Sequence, residues 1–147
     1  MALRWDESMR TGDLTIDTQH RKALLLVDRL EKATVECHDD PELVLAALER
    51  VMDFTIEHFV LEEHLMVRLD YPSAHQKNML EQHRVFTTRA RRHVLDFRDG
   101  RLVSALPLAA DIAEWLTDHE FGLDKKFVDW VREHYGERGL ASAHAAE

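Results

Sequence analysis

The stretch Pro41–Leu69, PELVLAALERVMDFTIEHFVLEEHLMVRL, decides the fold. Its apolar positions Val44, Ala47, Val51, Phe54, Leu61 and Leu65 recur at three- and four-residue spacing, with His58 on the same stripe. That period lays one continuous face along a helix, whereas a strand needs a period of two. Asp39-Asp40-Pro41 supplies a stop, then an N-cap with proline at the first helical position. Tyr71-Pro72-Ser73 breaks the chain on the far side, with Ser73 the expected cap of the next helix.

Three more stripes flank this one. Ile16, His20, Ala23, Val27 and Leu30 mark a first helix running to about Cys37. Met79, His83, Phe86, Ala90, Val94 and Phe97 mark a third, closed by Asp99-Gly100. Leu108, Ile112, Trp115, His119, Leu123 and Trp130 mark a fourth, capped by Ser104. Long helices joined by short links pack as antiparallel neighbours, so the expected fold is all-α, an up-down-up-down four-helix bundle over residues 1–136. Residues 1–15, with Trp5 and Leu14, read as an N-terminal arm laid over the bundle. Residues 137–147 are small, polar and aperiodic, and read as a flexible C-terminal tail.

Composition agrees. The chain has 147 residues, enough for one domain with a real core, and its 5 Gly and 3 Pro are too few for many short strands. Its net charge of −9 argues against nucleic acid, which needs clustered Lys and Arg. The single cysteine, Cys37, cannot form an intrachain disulfide and reads as inert. No apolar run approaches the roughly 20 residues of a membrane span. The first residues lack the apolar core of a signal peptide, so a cytoplasmic location is expected.

The chemistry lies in the histidines. His20, His58, His83 and His119 fall on core stripes, one per helix. A single histidine there is ordinarily a hydrogen-bonded core residue. Four converging imidazoles would leave polar atoms unpaired at about 1–3 kcal/mol each, a penalty that a bound metal removes. Glu62 stacks one turn after His58 and would be a costly buried charge without a cation. Its neighbour Glu63 points about 100° away and reads as solvated. His119 and Asp124 are five apart, an offset of about 140° on an ideal helix. A π-bulge aligns them, and Gly122 makes one easier nearby.

These motifs together resemble the hemerythrin family, specifically its single-domain bacterial members. The resemblance is carried by Trp5-Asp6-Glu7-Ser8 with Ile16-Asp17-Thr18-Gln19-His20, by His58-Phe59-x-x-Glu62-Glu63-x-x-Met66, and by Tyr71-Pro72. Glu81-Gln82-His83-x-x-Phe86 and Trp115-Leu116-x-x-His119-x4-Asp124-x-x-Phe127 complete it, in order, from Trp5 to about Phe127. The resemblance implies two iron ions per chain in a non-heme, oxygen-bridged di-iron centre that binds O2 reversibly, for carriage, storage or sensing. It implies His20 and His58 on one iron, His83 and His119 on the other, and Glu62 and Asp124 bridging. Manganese or zinc is compatible with the same donor types. Implied partners are O2 and small anions such as azide, on a monomer or weak homo-oligomer with no nucleic-acid or membrane partner.

One departure stands out. The family's third helix carries His-x3-His, and here the first position is Met79. A thioether is a soft donor, poorly matched to a carboxylate-bridged iron. His75 is two turns before His83, roughly 12 Å along the axis and 80° round it. A shifted register would bring Lys77 and Glu81 forward but takes Phe86 off the core stripe. Met79 is the uncertain replacement, with His75 and Glu81 in reserve. A second open coordination position would suit an enzyme acting on peroxide or nitric oxide, or a ferroxidase. A metal-degraded signalling module is the third reading, against which the four core histidines and two carboxylates argue. His38, His64, His93, His134 and His144 lie off the stripes and read as non-ligands.

Overall fold

A computed structural model describes residues 4–36, 40–100 and 106–145, with the side chains of Glu36, Leu106, His119 and Glu120 outside the description. Cys37, His38, Asp39 and Ser104, each given a role by sequence, lie outside the described residues. The remainder is helical, with no strand among the described residues. A 3₁₀ turn, Glu7–Met9, precedes α1 (Leu14–Glu36), α2 (Pro41–Arg68) and α3 (Ser73–Arg98). Then α4 (Leu106–Trp115) passes through a π turn, Leu116–Glu120, into α5 (Phe121–Tyr135), and α6 (Gly139–Ala145) follows. The helices form a bundle in which α1 packs on α2 and α4, and α3 on α2 and α4.

The stripes of α1 and α3 are buried as read: Ile16, His20, Ala23, Val27 and Leu30 on one, Met79, His83, Phe86, Ala90, Val94 and Phe97 on the other. On α2 the buried face is wider than expected. Leu48, Thr55, Phe59 and Glu62 are buried, while Ala47, Phe54 and Leu61 are only half-buried. This helix meets α1, α3 and α6 at once, so no single stripe can describe it.

The fourth rod differs for another reason. In the π turn the Phe121 N–H donates to the Leu116 carbonyl, five residues back. The extra residue rotates everything after it by about 100°. Phe121, Asp124, Phe127, Val128 and Val131 become the buried face, and the expected Leu123 and Trp130 are half-buried. Gly122 follows the turn in regular helix, with open space where a Cβ would stand.

Caps divide likewise. Asp40 accepts from the Glu42 N–H at 3.1 Å with Pro41 behind it. Ser73, expected as a cap, is instead the first helical residue. Pro72 takes the cap position without a side-chain bond, and its carbonyl accepts from His75 and Gln76.

The segments before α1 and after α5 are tied to the bundle among the described residues. Leu14 is exposed and anchors nothing; the arm is held by Asp17, which accepts from Thr11 N (2.8 Å), Thr11 Oγ (2.7 Å) and Gly12 N (3.2 Å). Trp5 packs on the core with the Arg21 guanidinium 4.4 Å over its ring. Where the sequence reads as a flexible tail, α6 buries Leu140 and Ala143. Its His144 reaches Asp13 at 3.2 Å, and Arg68 donates to the Ala143 carbonyl. Two small apolar residues one turn apart give too weak a periodic signal to read without the surface they cover.

The core is split by a polar layer. One apolar cluster contains Ala23, Phe59, Phe86, Trp115 and Phe121. The other contains Ile16, Leu65, Met66, Met79 and Phe127. Between them, one turn thick, lie His20, His58, Glu62, His83 and Asp124.

Candidate metal centre

Each helix delivers its polar residue to this layer because apolar neighbours one turn away on both sides fix its height: Ile16 and Ala23 for His20, Met79 and Phe86 for His83. His20, His58, Glu62, His83 and Asp124 are all buried, and Glu62 and Asp124 have no exposure. His20 Nε2 lies 2.6 Å and His58 Nε2 3.0 Å from the same atom, Asp124 Oδ2. His58 Nε2 is also 2.9 Å from Glu62 Oε1, and His83 Nε2 is 3.8 Å from that oxygen. His20, His58 and Asp124 each offer a ligand atom, all within 4.8 Å of one another.

The charges in this layer call for a cation. His58 Nδ1 lies 2.6 Å from Gln19 Oε1, a pure acceptor, so Nδ1 carries the hydrogen. A hydrogen on Nδ1 leaves Nε2 facing two carboxylate oxygens, a contact that only a proton or a metal ion between them can make favourable. Burial pushes the Asp124 carboxyl up, but hydrogen bonds from Glu62, His20 and His58 outweigh it and hold Asp124 well below the usual carboxylate range. Two carboxyl groups in contact at zero exposure likewise need a proton or a cation. His20 Nδ1 and Asp124 Oδ1 are buried with no hydrogen-bond partner among the described residues. The donor set fits a metal.

Rings wall the layer from water. Phe121 stacks on His20 with centroids 4.0 Å apart, and Phe59 on His83 at 3.8 Å. The Tyr71 phenol is pushed up, by burial first and by the Asp124 charge second.

A family model described as the hemerythrin HHE cation binding domain matches residues 11–134. The chain belongs to the hemerythrin family. It is 31% identical over 134 residues to a bacteriohemerythrin of Stenotrophomonas maltophilia, covering 90% of this chain and 83% of that relative. It is 28% identical over 137 residues to one of Pseudomonas aeruginosa, covering 92% and 85%. A hemerythrin-like protein of Naegleria gruberi is 26% identical over 123 residues, covering 84% and 88%. This hemerythrin is thus a cation-binding helical bundle, and no helix among its described residues is long and apolar enough to cross a membrane.

The other residues singled out by sequence separate clearly. Met79 is buried in the apolar cluster below the polar layer. His75 is half-buried and stacks on Tyr71. Lys77 and Glu81 are exposed, and Glu81 pairs with Arg84. None of these four joins the layer. The backbone of His119 lies in the π turn, and its side chain is outside the described residues. His64 and His134 are exposed, and half-buried His93 lies 3.8 Å from Asp111.

Sequence reasoning missed the supports. Gln19, beside His20, serves His58 on another helix. Glu63, read as solvated, reaches His83 Nδ1 at 3.0 Å. Neither could be found by spacing, because spacing along a helix carries no information about a partner on a different one.

Proposed function

We propose that this hemerythrin holds two non-heme irons joined by an oxygen bridge and binds O2 reversibly. His20 and His58 serve one iron, His83 and His119 the other, with Glu62 and Asp124 bridging, in an up-down-up-down bundle spanning residues 1–136. The observation that carries the reading is the meeting of His20 and His58 on one buried oxygen of Asp124. The iron pair supplies the electrons that reversible O2 binding borrows and returns. The chain supplies the setting: Phe59 and Phe121 exclude water, and Gln19 holds the His58 ring. A site with few mobile proton donors favours release of O2 over its reduction. The proposal takes the protein as cytoplasmic, a monomer or weak homo-oligomer, with small anions such as azide as competing ligands.

The test is metal analysis with optical spectra in air and under argon. Close to two irons per chain, with bands that appear in air and reverse under argon, are expected. A chain that folds fully without metal under iron-replete expression overturns the proposal and leaves a signalling module. The sequence at Met79 supports a second reading, turnover of peroxide or nitric oxide or ferroxidase action, because a methionine stands one turn before His83 where the family resemblance implies an imidazole. Bands that bleach as peroxide is consumed would select it.

A further inference from the structure

Three buried histidines of the polar layer are supported in three different ways. His58 Nδ1 donates to the neutral carboxamide of Gln19 at 2.6 Å. His20 Nδ1 has no partner among the described residues. His83 Nδ1 lies 3.0 Å from a carboxylate oxygen of Glu63, whose side chain is 34% exposed. The ring of His83 is also clamped from α2 by Phe59, stacked at 3.8 Å and 5°. Phe59 and Glu63 are one helical turn apart, so a single stretch of α2 fixes both the plane of this imidazole and its hydrogen.

We infer that Glu63 is a positioning residue that makes His83 a stronger nitrogen donor than His20 or His58, offsetting the absence of an imidazole at Met79. The inference rests on the di-iron reading. The carboxylate accepts only, so the ring hydrogen stays on Nδ1 and the Nε2 lone pair faces Glu62 and the interior. A charged acceptor also draws that hydrogen more strongly than a carboxamide does, which raises the basicity of the opposite nitrogen. Glu63 reaches the buried ring from a partly exposed position. The α1–α2 side of the layer has two imidazoles with neutral or no support. On α3 one imidazole, backed by a charge, enters the layer, and Met79 one turn before it lies in the apolar cluster. The two metal positions are therefore unequal by construction.

The test uses the full-length chain, with ferrous iron titrated under argon against a chelator. Zinc-loaded samples give the His83 ring tautomer by nitrogen NMR. Glu63→Ala is expected to weaken the less tightly held iron by roughly 10- to 100-fold and to free the His83 tautomer. Glu63→Gln, which keeps the acceptor and removes the charge, is expected to restore the tautomer but only part of the affinity. Circular dichroism serves as the folding check, and the exposure of Glu63 makes both variants tolerable. If wild type binds two irons and Glu63→Ala leaves both affinities unchanged, the inference falls and the di-iron reading stands. A Glu63→Gln variant that keeps the full wild-type affinity overturns the role of charge. A wild-type chain that binds no iron overturns both.

Discussion

Two aspartates of this protein are equally buried and do opposite things. Asp17, where the arm joins α1, collects hydrogen bonds from Thr11 N, Thr11 Oγ and Gly12 N. Asp124, in the polar layer, collects two imidazoles and a second carboxyl, and leaves Oδ1 without a partner among the described residues. The first is satisfied by donors that the chain itself brings, so it is a structural clamp. The second is surrounded by groups that are themselves electron-rich. A buried carboxylate signals a metal only when its neighbours compete for the same missing positive charge.

The largest test removes that charge. Asp124→Ala takes away the atom on which His20 and His58 meet. It should strip most of the iron and cost about 3–5 kcal/mol of stability, the scale of breaking a buried charged cluster. Metal analysis and denaturant melts read both. Retention of wild-type iron would mean the two aspartates differ only in their hydrogen bonds.

Asp17→Ala should behave in the contrary way. It leaves buried Thr11 donors without an acceptor and should cost about 2–3 kcal/mol. Iron per chain should stay as in wild type, since the hydrogen bonds of Asp17 run to Thr11 and Gly12.

Met79→His sharpens the comparison within the layer itself. An imidazole one turn before His83 would face the same metal position. Tighter binding of the weaker iron by about tenfold, or about 1.4 kcal/mol, is expected, with loss of azide binding at that position. A titration showing no change in iron retention or azide binding would place the coordination gap elsewhere.

The smallest effect belongs to a third carboxylate, Asp13, which holds α6 through His144 and accepts from the Ile16 N–H. Burial raises its pKa, but the His144 and Ile16 bonds win and set it below the ordinary value of 3.8. A carboxyl whose folded value is depressed stabilises the fold fully above its unfolded value and loses that contribution as pH falls through the folded one. Asp13→Asn should therefore cost about 1 kcal/mol near pH 6. Wild type and variant should converge in urea melts at acid pH, below the lowered value of Asp13. A gap that persists there would remove the ion pair from the account.

The period of the apolar residues by itself determined that this chain is helical, where α1 and α3 turn their faces, and that His20, His58 and His83 lie inside. Those are local facts, since a 3.6-residue repeat and the height of a residue on its helix follow from sequence spacing alone. The i, i+5 offset of His119 and Asp124 even pointed to a π turn near Gly122, and the backbone forms one at Leu116–Glu120. Only the tertiary structure decided the rest. It rotated the buried face of α5, widened that of α2, docked α6, and brought Gln19 to His58 and Glu63 to His83. Each of these depends on what another helix presents at the same height, and a repeat along one helix holds no record of its neighbour.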